Sequence, residues 1–223
     1  MRNVLFVLVA LLAVPLTGRA DEAEDTATKE AEKLGAKVVR AGGDDPDKPV
    51  VELHFFGAQV TDDGLKNLGS VKGLRGLSVC SPKVTDAGFK YVANLQKLEF
   101  LDARNTQLTD RGLKELTALK ELRGLGLRAT KVTNGGMKEL KALKNLLDID
   151  LASTAVTDSG LKDLGALRQL VSLCLDNTKV TDEGVKELAP LGNLQILCVQ
   201  RTKVTESGEK WLNKAFPYSN VVR

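Results

Sequence analysis

The sequence predicts an α/β solenoid made from one short unit repeated along the chain, and three observations carry that prediction. A stretch first seen whole as VTDDGLKNLGSVKGLRGLSVCSPK at residues 60–83 returns, without insertion or deletion, from Val84, Leu108, Val132, Val156, Val180 and Val204. A fixed period of 24 residues marks stacked supersecondary units. Apolar residues keep the same columns in every copy, as in Leu68, Val92, Leu116, Leu140, Leu164, Leu188 and Leu212, or Leu77, Leu101, Leu125, Ile149, Leu173, Leu197 and Val221. Columns of this kind are stacked core.

Each unit divides into two elements. The segment LxxLxL, seen at Leu122, Leu125 and Leu127, alternates as a short strand does. The following VTDxGLKxLxxL, seen at residues 156–167, sets Leu161, Leu164 and Leu167 three apart on one helical face. The unit is therefore strand, turn, short helix, turn.

On these residues the chain resembles the leucine-rich repeat family. The closer likeness is to its cysteine-containing subtype, in a bacterial exported form, which has a polar or Cys position after the strand and a TDxGL helix start. The likeness covers Val50 to about Arg223. It implies a right-handed β-α superhelix, a horseshoe with a parallel sheet on the concave face and short helices on the convex face. For function it implies non-catalytic binding of a protein or peptide partner through the concave face; it names no ligand.

In chain order, residues 1–20 read as a secretory signal: Arg2 is the positive start, Val4 to Val14 is an apolar run of 11 residues, and small residues stand at Gly18 and Ala20. The run is shorter than the roughly 20 apolar residues that a membrane span needs, so no membrane insertion is expected after signal removal. The expected product is an exported monomer, periplasmic or extracellular. The whole chain carries a net charge of +3. Loss of Arg2 and Arg19, with no acid, brings basic and acidic residues to near balance, which is no footprint for nucleic acid.

Residues 21–59 form the expected N-terminal cap. A weakly amphipathic helix to Leu34, with Ala23, Ala27 and Ala31 on one face, ends at Gly35. A strand candidate at Lys37–Arg40, the turn-rich AGGDDPDKP and the strand VVELHF at Val50–Phe55 complete it. Covering the first repeat's apolar end is what such a segment is for. Six full repeats follow over residues 60–203, and residues 204–223 are a partial repeat with a C-terminal cap, including a last strand at Tyr218–Arg223.

The small and polar columns have mechanical explanations. Gly64, Gly88, Gly112, Gly136, Gly160, Gly184 and Gly208 stand in the first helical turn, where a side chain would hold adjacent repeats apart. The preceding Thr and Asp pairs, such as Thr157 and Asp158, offer oxygens to the free amides of the helix start. Thr106, Thr130, Thr154, Thr178 and Thr202 are expected to bond buried backbone in the turns. Ala58 and Pro82 break that column, so the first two turns should differ in shape. The Lys column at Lys66, Lys90, Lys114, Lys138, Lys162, Lys186 and Lys210, interleaved with acids, is a solvated convex face.

Strand positions pointing away from the core pave the concave face, and there chemistry varies. The candidate ligand-binding residues are Phe56, Phe100, Asp102, Arg104, Arg128, Asp148, Asp150 and Asp176. Arg104 and Arg128 make a basic half, the later three acids an acidic half, and Gly124 with Gly126 a notch between them. Aromatic and Arg side chains are frequent binding anchors.

An alternative is a carbohydrate-acting enzyme using Asp102 and Asp150. Their strands lie about 9.6 Å apart, near the separation of an inverting pair, but nothing buries either acid and the arginines lie closer. A third reading is an envelope repeat protein with no specific ligand. His54, the single histidine, reads as an exposed strand residue, roughly 24 Å from Cys174 by strand spacing. Of the three cysteines, Cys174 and Cys198 share a column; a bridge is possible at that spacing, free thiols are expected, and Cys80 is remote. No CxxC pattern marks a metal, and no cofactor is expected.

Overall fold

The computed structural model describes residues 22–43, 45, 47–55 and 59–223. The proposed signal segment, its cleavage point, and the positions of Phe56 and Ala58 lie outside the described residues.

Among the described residues, nine strands form one sheet in chain order: β1 (Ala36–Arg40), β2 (Val50–Phe55), β3 (Gly76–Val79), β4 (Phe100–Asp102), β5 (Gly124–Gly126), β6 (Asp148–Asp150), β7 (Ser172–Cys174), β8 (Ile196–Cys198) and β9 (Asn220–Val222). β1 pairs antiparallel with β2, and every later pair is parallel. Register is constant at one repeat: Leu101 faces Leu125, Leu125 faces Ile149, and Ile149 faces Leu173. The side opposite the helices is thus the concave face of a leucine-rich repeat solenoid.

Helix α1 (Glu22–Lys33) buries Ala27 and Ala31 against the first repeat, and its Glu24 Oε1 accepts a hydrogen bond from the Val50 amide at 2.9 Å. The first repeat's helix, Asp63–Ser70, is a 3-10 helix. The following helices are α2 (Asp86–Val92), α3 (Asp110–Glu115), α4 (Asn134–Leu140), α5 (Asp158–Leu164), α6 (Asp182–Lys186) and α7 (Glu206–Ala215). Helices this short are marginal alone and are held by their buried faces. Leu113, Met137, Leu161 and Val185 occupy one such column, each wholly buried. The Lys column is exposed throughout.

The helix starts are joined across repeats. Asp62, Asp86, Asp110, Asp158 and Asp182 each accept from the amide and the hydroxyl of the Thr that precedes the next helix. That Thr in turn caps its own helix. Asp therefore serves the helix start of the neighbouring repeat and not that of its own. The glycine column makes room for it: a Cβ on Gly136 would stand 2.6 Å from Asp110 Oδ1, and one on Gly160 would stand 2.8 Å from Asn134 Oδ1.

Across the opposite turns, Thr106, Thr130, Thr154 and Thr178 donate their hydroxyls to the carbonyl three residues back at 2.6–2.7 Å. Before each Thr of that column stands a residue with left-handed backbone: Asn105, Ala129, Ser153, Asn177 and Arg201. The turn at Pro82 is built differently. The wholly buried Ser81 donates to the Val60 carbonyl at 2.8 Å instead.

The C-terminal end corrects one expectation. The last strand is only Asn220–Val222, and Tyr218 is 97% exposed. Phe216, 6% exposed and edge-on to Trp211, packs on the core at this end instead. Glu209, polar where the earlier copies are apolar, pairs with Arg223 at 2.5 Å.

Candidate functional site on the concave face

Because side chains alternate along a strand, each three-residue strand sends its first and last residues to the concave face. Register then stacks them into rows. One row runs His54, Ser78, Asp102, Gly126, Asp150, Cys174, Cys198, and a second runs Glu52, Gly76, Phe100, Gly124, Asp148, Ser172, Ile196. Beyond the strands, Arg104, Arg128, Ala152, Asp176 and Gln200 follow at the same period.

At the N-terminal end, His54 is half-buried and held on both ring nitrogens. Nε2 lies 2.9 Å from Glu52 Oε2 and Nδ1 lies 3.0 Å from Ser78 Oγ. It is not the exposed strand histidine expected from sequence, because its serine partner stands one whole repeat away. Gly76 permits the arrangement, since a Cβ there would meet Glu52 Cγ at 2.9 Å. The His54 hydrogen bond holds the Glu52 carboxyl below its ordinary range.

The expected basic half is also corrected. Arg104 turns back on its own strand and clamps Asp102 with both prongs, Nε to Oδ1 at 2.8 Å and Nη2 to Oδ2 at 2.7 Å. A fork matched to a carboxylate two residues away makes a bidentate ion pair, so Arg104 is not available as an isolated cation. Arg128 is exposed. Cys80, beside this pair, has its thiol pushed up to about 12 by burial and then by the Asp102 charge.

The acidic half is more deeply set than the sequence suggested. Asp150 is only 7% exposed, and its Oδ1 accepts from the Ala152 amide at 2.9 Å. Asp176 Oδ1 accepts from the Gln200 amide on the next repeat at 2.7 Å. Asp148 is half-buried; burial pushes its carboxyl up to about 6, the Ser172 hydroxyl opposes this, and the Asp150 charge adds to it. Burial likewise raises Asp176.

Between Asp102 and Asp150 lies Gly126, in register with both; it and Gly124 are buried, which corrects the open notch expected from sequence. Phe100 and Ile196 are half-buried rather than standing free. At the C-terminal end Cys174 and Cys198 face each other as free thiols, 2% and 5% exposed, over an apolar floor of Ala152, Ile196 and Val222. A hydrogen bond from the Cys174 thiol to the Cys198 sulfur lowers the Cys198 pKa, and the same bond, with burial, raises that of Cys174. The Asp102 and Asp150 pair does not present two uncommitted acids: Arg104 clamps one, and the backbone holds an oxygen of the other.

No family model matches the chain, and no curated protein matches it. Among solved structures, the chain is similar to internalin C2 of Listeria monocytogenes, with a TM-score of 0.59 and 22% identity over 92% of each chain. Internalin F of the same organism is a looser match, with a TM-score of 0.45 and 20% identity over 71% of this chain and 56% of that one. The first likeness shows a shared leucine-rich repeat solenoid fold. No helix among the described residues is long and apolar enough to cross a membrane.

Proposed function

We propose that the chain is a non-catalytic scaffold, of the cysteine-containing repeat type, that binds a protein or peptide on its concave face. The observation that carries this is the contrast between columns. Core columns stay apolar and buried through the full repeats, whereas the concave rows change from a Glu-His-Ser network to an ion pair, a glycine pair, an acidic group and a thiol pair. Variation against a fixed scaffold is what a binding surface presents.

The centre of this surface lies over Gly124 and Gly126, which put no side chain of their own on the concave face. Arg128 is the exposed charged anchor beside it, Phe100 gives apolar area, and Asp148, Asp150 and Asp176 favour a donor-rich or basic segment. Asp102 and Arg104 act as a rigid, mutually neutralised rim. Phe56 belongs to the same proposed surface. An exported location, periplasmic or extracellular, follows from the N-terminal signal pattern and belongs to this reading, as do the domain limits given above.

The test is recovery of partners from an envelope extract by the immobilised chain, compared with Arg128→Glu and Phe100→Ala variants. Partners held by the parent and lost by both variants are the expected outcome. Identical recovery by all three removes the concave face as the binding surface.

A further inference from the structure

We propose that Cys174, Asp176 and Cys198 form a site for a thiophilic divalent cation of the zinc class on the concave face. One ligand atom from each of the three residues lies within 4.8 Å of the other two. Ligands at the ordinary zinc bond lengths of ~2.3 Å for sulfur and ~2.0–2.2 Å for oxygen stand roughly 3.5–3.8 Å apart around a tetrahedral ion. Small side-chain rotations therefore close the set on one ion without moving the sheet.

The backbone supplies the preorganisation. Cys174 and Cys198 are register partners on adjacent parallel strands, so both sulfurs leave the sheet on the same side. Asp176 lies two residues beyond Cys174 and is half-buried at the rim, leaving a path from solvent. Its Oδ1 is fixed by the Gln200 amide at 2.7 Å, which orients the second oxygen; a ligand carboxylate held in this way is the usual outer-shell arrangement. The floor of Ala152, Ile196 and Val222 is apolar, a surrounding that shields metal–sulfur bonds from water.

Charge and softness select the ion. Two thiolates and a carboxylate carry one negative charge more than a divalent ion offsets, and Arg128 lies close enough to Asp176 to act on it electrostatically. Thiolate ligands favour zinc-like metals over magnesium or calcium. Three protein ligands leave a fourth position for water or for a donor atom from whatever occupies the concavity.

The experiment is a cobalt titration of the purified, reduced full chain in the absence of any partner, followed by displacement with zinc. The proposal expects one equivalent, a thiolate-to-cobalt charge-transfer absorption, and one zinc per chain retained through dialysis. Cys174→Ser and Cys198→Ser should each weaken binding by at least about a hundredfold, Asp176→Asn by about tenfold or more, and Cys80→Ser should leave it intact. Absence of the absorption in the parent chain overturns the proposal. So does unchanged binding in the Cys174→Ser, Cys198→Ser double variant, or a Cys174–Cys198 disulfide that forms with zinc in excess. Asp176→Asn and Cys80→Ser keep the test decisive if a thiol variant fails to fold. Because no partner is present, a negative result leaves the partner-binding reading standing.

Discussion

Asp158 accepts two hydrogen bonds from Thr181, 23 residues further along the chain: the Thr181 amide reaches Oδ1 at 2.8 Å and its hydroxyl reaches Oδ2 at 2.7 Å. The same Thr181 oxygen then accepts from the Glu183 amide at 3.2 Å and caps α6. One acid thus completes the helix start of the next repeat. The exception is Asn134, whose Nδ2 donates to the Thr157 oxygen at 2.8 Å, and there the Thr makes no capping bond.

Asn134→Asp should therefore raise stability by about 1 kcal/mol. It lets the Thr157 hydroxyl donate to a carboxylate and accept from the helix amide, as caps of this kind do, and places an acid in the first turn of α4. Asp158→Ala should cost about 2 kcal/mol, since two charge-assisted bonds are lost together. Denaturant unfolding of both variants checks the pair; equal stability of Asn134→Asp and the parent counts against the ladder.

Leu125→Ala should cost about 2–5 kcal/mol. Leu125 is wholly buried in mid-sheet, between Leu101 and Ile149, so neighbours fixed on both sides limit collapse into the space. A measured loss below about 0.5 kcal/mol would contradict that packing.

Two small residues should respond in opposite directions. Gly136→Ala should destabilise by about 1–3 kcal/mol, because its Cβ would meet Asp110 Oδ1 at 2.6 Å and Leu113 Cδ2 at 2.9 Å. Ala129→Gly should stabilise by about 1 kcal/mol, since Ala129 holds φ at 54°, a conformation that costs an L-residue about 1–2 kcal/mol and glycine little. Thermal melts compared side by side would show the opposite shifts.

Asp148 should make stability fall as pH rises. Its folded value of about 6 lies above the ~3.9 of an unfolded Asp, so between these values the folded chain holds more protons than the unfolded one. Linkage then makes the slope negative in that window, and above it the ionised carboxylate costs up to about 3 kcal/mol. Asp148→Asn keeps an acceptor for Ser172 and should gain about 1–2 kcal/mol at pH 8 while flattening the slope from pH 4 to 6. Chemical denaturation across that range is the measurement, and parallel curves for variant and parent would refute the assignment.

The sequence by itself determined the architecture. A 24-residue period with apolar columns admits one stacking register, and Leu101, Leu125 and Ile149 stand where that register requires. It also determined which residues the concave rows contain, because strand alternation follows from backbone geometry. What the tertiary structure decided was pairing. Asp102 could have met Arg104 along its strand or Arg128 across the sheet, and side-chain reach and the fork geometry settled on Arg104. His54 with Ser78, Asp62 with Thr85, and Cys174 with Cys198 are all partners from different repeats. Their chemistry is written at the length of the repeat, not at the short spacings by which local motifs are recognised. Burial at Asp148 and Asp150 is likewise a property of the folded chain that no local spacing reveals.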